Sequence, residues 1–196
     1  MIETQHLALL EALGTGGKAH SSRTLLHHLK GTHDLLEAWG NPQPVCVAGL
    51  FHSVYGTAYF RHQSIATTQR ERVRETIGDS AEVLAYLFCA VERDDFFDQA
   101  HPSAPTLRLR SDGRRIAIPP TTLTALVEIE VANLIEQTRP SPDGRVTLYD
   151  LRNRLFRRRI TRQMQHMFQS GNQRMSAACR TAFSDFIESF APRSPA

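Results

Sequence analysis

No run of apolar residues in this chain approaches the roughly 20 that a membrane helix needs, and the amino terminus has neither the basic start nor the apolar stretch of a signal peptide. Both absences point to a cytoplasmic protein without a membrane role. Cysteine is scarce. Cys46, Cys89 and Cys179 stand far apart with no CxxC pair, which argues against a zinc ribbon or a thioredoxin-type site and predicts buried, reduced thiols. The single tryptophan, Trp39, reads as packing under a helix pair. There is no internal repeat, and the "TGG" at 15 to 17 is too short and too poorly placed for a phosphate loop. A net charge of +3 is too small to imply either nucleic acid or an anionic ligand.

What is present is helical periodicity. Leu7, Leu10 and Leu13 share a face before "GTGG" stops the helix. Leu25, Leu29, Thr32, Leu36 and Trp39 step by four and three along an amphipathic helix, with Ser21 or Ser22 as its cap and Gly40 at its end. "VCVAGLFHSVYG", after Pro44, is almost wholly apolar and predicts a buried helix ending near Gly56. Two further helices, "TTQRERVRETIG" and "DSAEVLAYLFCAVERDDFF", are broken at Gly78, with Asp79 or Ser80 capping the second. "TLRLRSDGRRIAI" alternates around Asp112-Gly113 as a hairpin does, and "PTTLTALVEIEVANLIEQ" returns to helix.

After the turn "TRPSPDG" the texture becomes basic, with an amphipathic helix over 148–168 and a second stretch over 177–190. The expected fold is all-α: a helical bundle over residues 1–139 with one small hairpin, then a basic helical extension over 140–196. That extension packs on the domain or on a second subunit. Its apolar stripe predicts a homodimer in which Arg157 or Arg158 of one copy meets Asp94 or Asp95 of the other. The arginines of "RNRLFRRRITR" lack interleaved aromatics beyond Phe156, so binding of RNA or DNA is disfavoured.

"HLKGTHDLLEAWG" followed by "AGLFHS" and, later, by "EIEVANLIEQ" resembles the HD superfamily of helical metal-dependent enzymes. The wording from "HSSRTLLHHLKGTHDLLEAWG" to "VCVAGLFHSVYGT" is similar also to a bacterial family of unassigned activity. The HD resemblance places His28 at the first histidine and His52 at the second. Ser53 and Asn133 then stand where two ligand aspartates are expected, so both carboxylates of the usual set are missing. His20 is a candidate to complete a His20/His28/His52 metal cluster. Glu130, with Glu128 and Glu136 nearby, is the candidate carboxylate. Tyr55, Thr57 and Asn133 are candidates to orient a substrate beside the catalytic His52. His27 and His33 lie off the face that carries His28, and the literal His33-Asp34 dipeptide is read as a decoy.

The implied cofactor is a transition metal, iron or zinc, and the implied activity is that of a hydrolase or non-haem iron oxygenase on a small molecule. Two other readings use the same residues. One is a metal-free lyase, isomerase or cyclase with acid/base histidines. The other is a non-catalytic ligand-binding or regulatory module that has lost its acidic ligands.

Overall fold

A computed structural model of the chain describes all residues but 18, 21–22, 59–61, 99–102, 140–147 and 191–196; the side chains of 19, 20, 23 and 148–150 also lie outside the description. The fold is all-α. Among the described residues there are nine α-helices and two short antiparallel ribbons. The helices are α1 (Thr4–Ala12), α2 (Leu25–Ala38), α3 (Gln43–Phe51), α4 (Arg70–Ile77), α5 (Asp79–Ala90), α6 (Pro120–Gln137), α7 (Leu148–Leu155), α8 (Arg157–Gly171) and α9 (Ala177–Phe190). One ribbon pairs β1 (Ala19–His20) with β2 (Arg23–Thr24); the other pairs β3 (Thr106–Arg108) with β4 (Arg115–Ala117).

The apolar stripe of α2 buries Leu25, Leu29, Thr32 and Leu36, and α3 is buried from Val45 to Phe51. These two helices divide their residues between two apolar clusters. Leu25, Leu29, Val47, Leu50 and Phe51 join one cluster with α1 and α4, while Leu36, Val45, Cys46 and Ala48 join another with α5, α6 and α9. Helix α6 packs on both of them, against α2 and α3. Close packing of α2 on α3 depends on Gly49, because a Cβ there would run into the Leu36 side chain. We expect Gly49→Ala to lower stability by about 1–3 kcal/mol through overpacking, read from denaturant midpoints.

Several boundaries differ from the sequence-based expectation. The cap of α2 is Thr24, whose Oγ1 accepts from the His27 amide at 3.3 Å, because the β1–β2 ribbon delays the helix to Leu25. Ser21 and Ser22 lie outside the described residues. Helix α3 stops at Phe51 rather than near Gly56, and His52 is its C-cap. Helix α5 starts from Gly78 with no side-chain cap, so neither Asp79 nor Ser80 plays that part.

It ends at Ala90, seven residues short of Phe97. There the hairpin captures the chain: Glu92 N–H donates to the Arg108 carbonyl at 2.9 Å, and Arg110 N–H to that of Ala90 at 2.9 Å. The helix expected over 148–168 breaks at Phe156 into α7 and α8.

The basic extension packs on its own chain. Met164, Met175, Cys179, Phe183 and Ile187 enter the cluster around α6. Glu128 of α6 clamps the arrangement, accepting from Ser176 N–H and from Asn41 Nδ2, each at 2.5 Å. Arg157 donates to the carbonyls of Phe190 and Ser189, and Asp95 accepts from Arg108 N–H at 2.6 Å and pairs with Arg115. The homodimer expectation rested on an apolar side in need of a cover, and the chain itself covers most of that side. Among the described residues of the extension, the large apolar side chains left exposed are Leu151, Leu155 and Phe156. Among the described residues no helix is long and apolar enough to cross a membrane.

Candidate functional site

Residue spacing on three helices assembles the centre. On α2, His28 and Gly31 face α6. On α6, Glu130, Asn133 and Glu136 recur at intervals of three and form one stripe. His52, at the end of α3, closes the third side. His28 is 1 % exposed and His52 fully buried, with Asn133 and Glu136 at 3 % and 1 %.

The two imidazoles meet edge to face, with Nε2 of His28 3.2 Å from Nε2 of His52 and 3.1 Å from Asn133 Oδ1. Each of these groups is held from behind. His28 Nδ1 donates to the Glu136 carboxylate, and His52 Nδ1 donates to the Gly49 carbonyl at 2.7 Å. Asn133 Nδ2 donates to Glu130 Oε2 at 3.2 Å, which turns its oxygen toward His28. The two Nε2 atoms and the Asn133 amide oxygen converge here.

This is the pattern in which histidine ligands are oriented by a carboxylate or a backbone carbonyl. The spacing also suits an ion: two bonds of about 2.1 Å meeting near 100° span about 3.2 Å. The Arg93 guanidinium lies 3.0 Å from Glu130. Burial pushes the Glu130 carboxyl up, against the pull of the Arg93 charge and the Asn133 hydrogen bond.

Glu136 is thus the carboxylate that reaches a histidine, while Glu130 stands one group behind Asn133. The glycine at 31 makes this possible, since a Cβ there would lie 2.6 Å from Glu136 Cγ. Glu128, on another face of α6, serves the Ser176 clamp. His20 belongs to β1, but its side chain lies outside the described residues.

Tyr55 and Thr57 are buried beside His52 in sequence but face elsewhere. They line a polar cleft of about 310 Å³ together with Tyr86, Cys89 and Arg110. Tyr55 Oη donates to Glu82 at 2.8 Å, and burial first, then that hydrogen bond, pushes the phenol up, so it is held as a donor. Cys89 Sγ donates to the His52 carbonyl at 3.0 Å, and burial pushes its thiol up to about 12. His33, Asp34 and Glu37 also bring ligand atoms within 4.8 Å of one another. Asp34 and Glu37 are exposed and Glu37 takes the amino terminus, while the His33 ring is buried with its Nδ1 3.1 Å from Asp34.

Beneath the polar cleft Glu82 is fully buried and accepts from Tyr55 and from Arg70 Nε and Nη2, the latter two at 2.7 Å. Burial alone would raise its carboxyl; the Arg70 and Tyr55 hydrogen bonds and the Arg70 and Arg74 charges together hold it below the ordinary 4.5. A carboxyl held low in the folded state adds stability that is present above about pH 4.5 and lost as pH falls through the folded value. We expect Glu82→Gln to be less stable at neutral pH and to show a shallower loss of stability below about pH 4.5, in denaturant titrations across that range.

A family model described as a domain of unknown function (DUF6817) matches residues 9–93. No curated protein and no solved structure matches the chain. The matched stretch carries His28, His52 and Arg93, whereas the α6 residues that hold them lie beyond it.

Proposed function

We propose that the chain is a metal-dependent enzyme acting on a small molecule, with His28 and His52 as nitrogen ligands and Asn133 as an oxygen donor. The observation that carries this reading is the convergence of the two Nε2 atoms and the Asn133 oxygen, each group anchored from behind. The ion would supply Lewis acidity for a hydrolytic reaction or, as iron, for an oxidative one.

The protein's own groups do the rest. Glu136 and the Gly49 carbonyl keep the protons on Nδ1 of the two histidines, which leaves both Nε2 atoms as donors to the ion. Three protein donors leave room for water or a substrate atom. The resemblance to the HD superfamily supports the reading with one change. Ser53 and Asn133 replace aspartates, and Glu136 and Glu130 return the negative charge one group further out.

Linkage provides the test. Zinc, ferrous iron or manganese added to chelator-treated protein is expected to raise the unfolding midpoint, since an ion bound about a hundredfold above its Kd adds about 2.7 kcal/mol. The same additions to His28→Gln should leave the midpoint where it was. Equal responses in the two proteins would refute the assignment.

A further inference from the structure

The α6–α8 cleft, of about 380 Å³, has no place in the site as described so far. Phe97, Leu134, Ile160, Met164 and Met167 form its apolar wall, and Gln137, Thr138, Gln163 and His166 also line it. Its most buried polar lining is the Arg93–Glu130 pair, with side chains 9 % and 6 % exposed, while Asp94, Asp98 and Arg152 stand at the exposed mouth. The pair leads inward. Glu130 accepts from Asn133, whose oxygen touches His28, and the Arg93 guanidinium lies 4.3 Å over the Phe88 ring, which itself packs edge-on against His52.

We propose that this cleft binds an uncharged amphipathic small molecule whose hydroxyl or amide head docks on the Arg93–Glu130 pair. A head that both accepts and donates takes an N–H from the guanidinium and gives a proton to the carboxylate. Its apolar body lies against the methionine wall, whose unbranched side chains adapt to shape. A charged head suits the pair less well: a carboxylate meets Glu130, an ammonium meets Arg93, and either leaves a net charge in a buried place. The volume lies in the range of small-molecule pockets. That the bound molecule is the substrate of the metal centre rests on the function proposed above; the binding itself does not.

The chain has four methionines, and two of them line this cleft. Protein labelled with carbon-13 at the methionine methyls is titrated with octan-1-ol, octanamide, octanoate and octylammonium, and the signals are assigned by single Met→Leu replacements. We expect octanol and octanamide to shift Met164 and Met167 saturably, with Met1 unmoved, and the charged probes to bind at least about tenfold more weakly. Met167→Trp should abolish the shift of Met164 while unfolding at a similar temperature.

Absence of a saturable shift in wild type, equal movement of all four methyls, or charged probes as strong as neutral ones would overturn the proposal. Repeating the titration on chelator-treated protein and on His52→Ala separates the two ideas. Cleft binding that persists there stands even where the metal reading fails, and binding lost only there overturns the claim that the cleft acts independently.

Discussion

Replacing His52 with alanine is expected to abolish the metal binding proposed above and to lower stability by about 3 kcal/mol even without metal. The second figure combines the cavity left by a fully buried ring with the loss of its hydrogen-bonding partners. The ring packs against Phe88 at a centroid distance of 5.1 Å, and its Nδ1 serves the Gly49 carbonyl. A chelator should therefore destabilise wild type and leave His52→Ala unchanged. His28→Ala should behave alike on metal, and it also removes the imidazole that the Glu136 carboxylate holds. Metal content by elemental analysis, paired with denaturant midpoints with and without chelator, reads both effects. Variants that keep wild-type metal content would show that the imidazoles are not ligands.

The second large effect concerns the carboxylate behind His28. Glu136→Gln keeps the shape and removes the charge, and the loss of such a partner weakens metal binding by about 10- to 100-fold. Gly31→Ala should do the same from the opposite helix, because its methyl would occupy the space of the Glu136 stem. Since both act on one contact, the double variant should be little worse than the worse single one. Competition titrations against a chromogenic chelator measure all three. Full additivity would mean that Gly31 acts by packing alone and does not place the carboxylate.

The resemblance to the HD superfamily singled out His28 and His52, and helix periodicity agrees with their burial. The stripe Leu25–Leu29–Thr32–Leu36 puts His28 at the edge of the buried face of α2, and the apolar run before His52 buries that residue whatever its partner. The choice between Glu130 and Glu136 was not legible. Both lie on the Asn133 stripe of α6, and only the close approach at Gly31 decides which one reaches His28. One signal was available in advance: a glycine inside α2, three residues after His28, costs helix stability relative to alanine and so marks a neighbour that needs the space.

The early end of α5 was hidden because Val91 belongs equally to an apolar helix and to an extended segment, and a hairpin some fifteen residues later makes the choice. The apolar side of α8 called for a cover, but periodicity cannot say whose. Glu128, read as a carboxylate near the site, instead holds the Ser176 amide and fixes the extension to α6.

The most direct test of the metal centre is the metal content of the full chain purified without chelators, combined with X-ray absorption at the edge of whichever metal is found. The account predicts about one equivalent of a transition metal in a nitrogen/oxygen shell with two imidazoles, falling below about a tenth in His52→Ala. Wild-type protein that holds less than about a tenth of an equivalent, and takes up none when zinc, iron or manganese is supplied, would contradict it. The His28–His52 contact would then belong to a metal-free acid/base site or to a non-catalytic module.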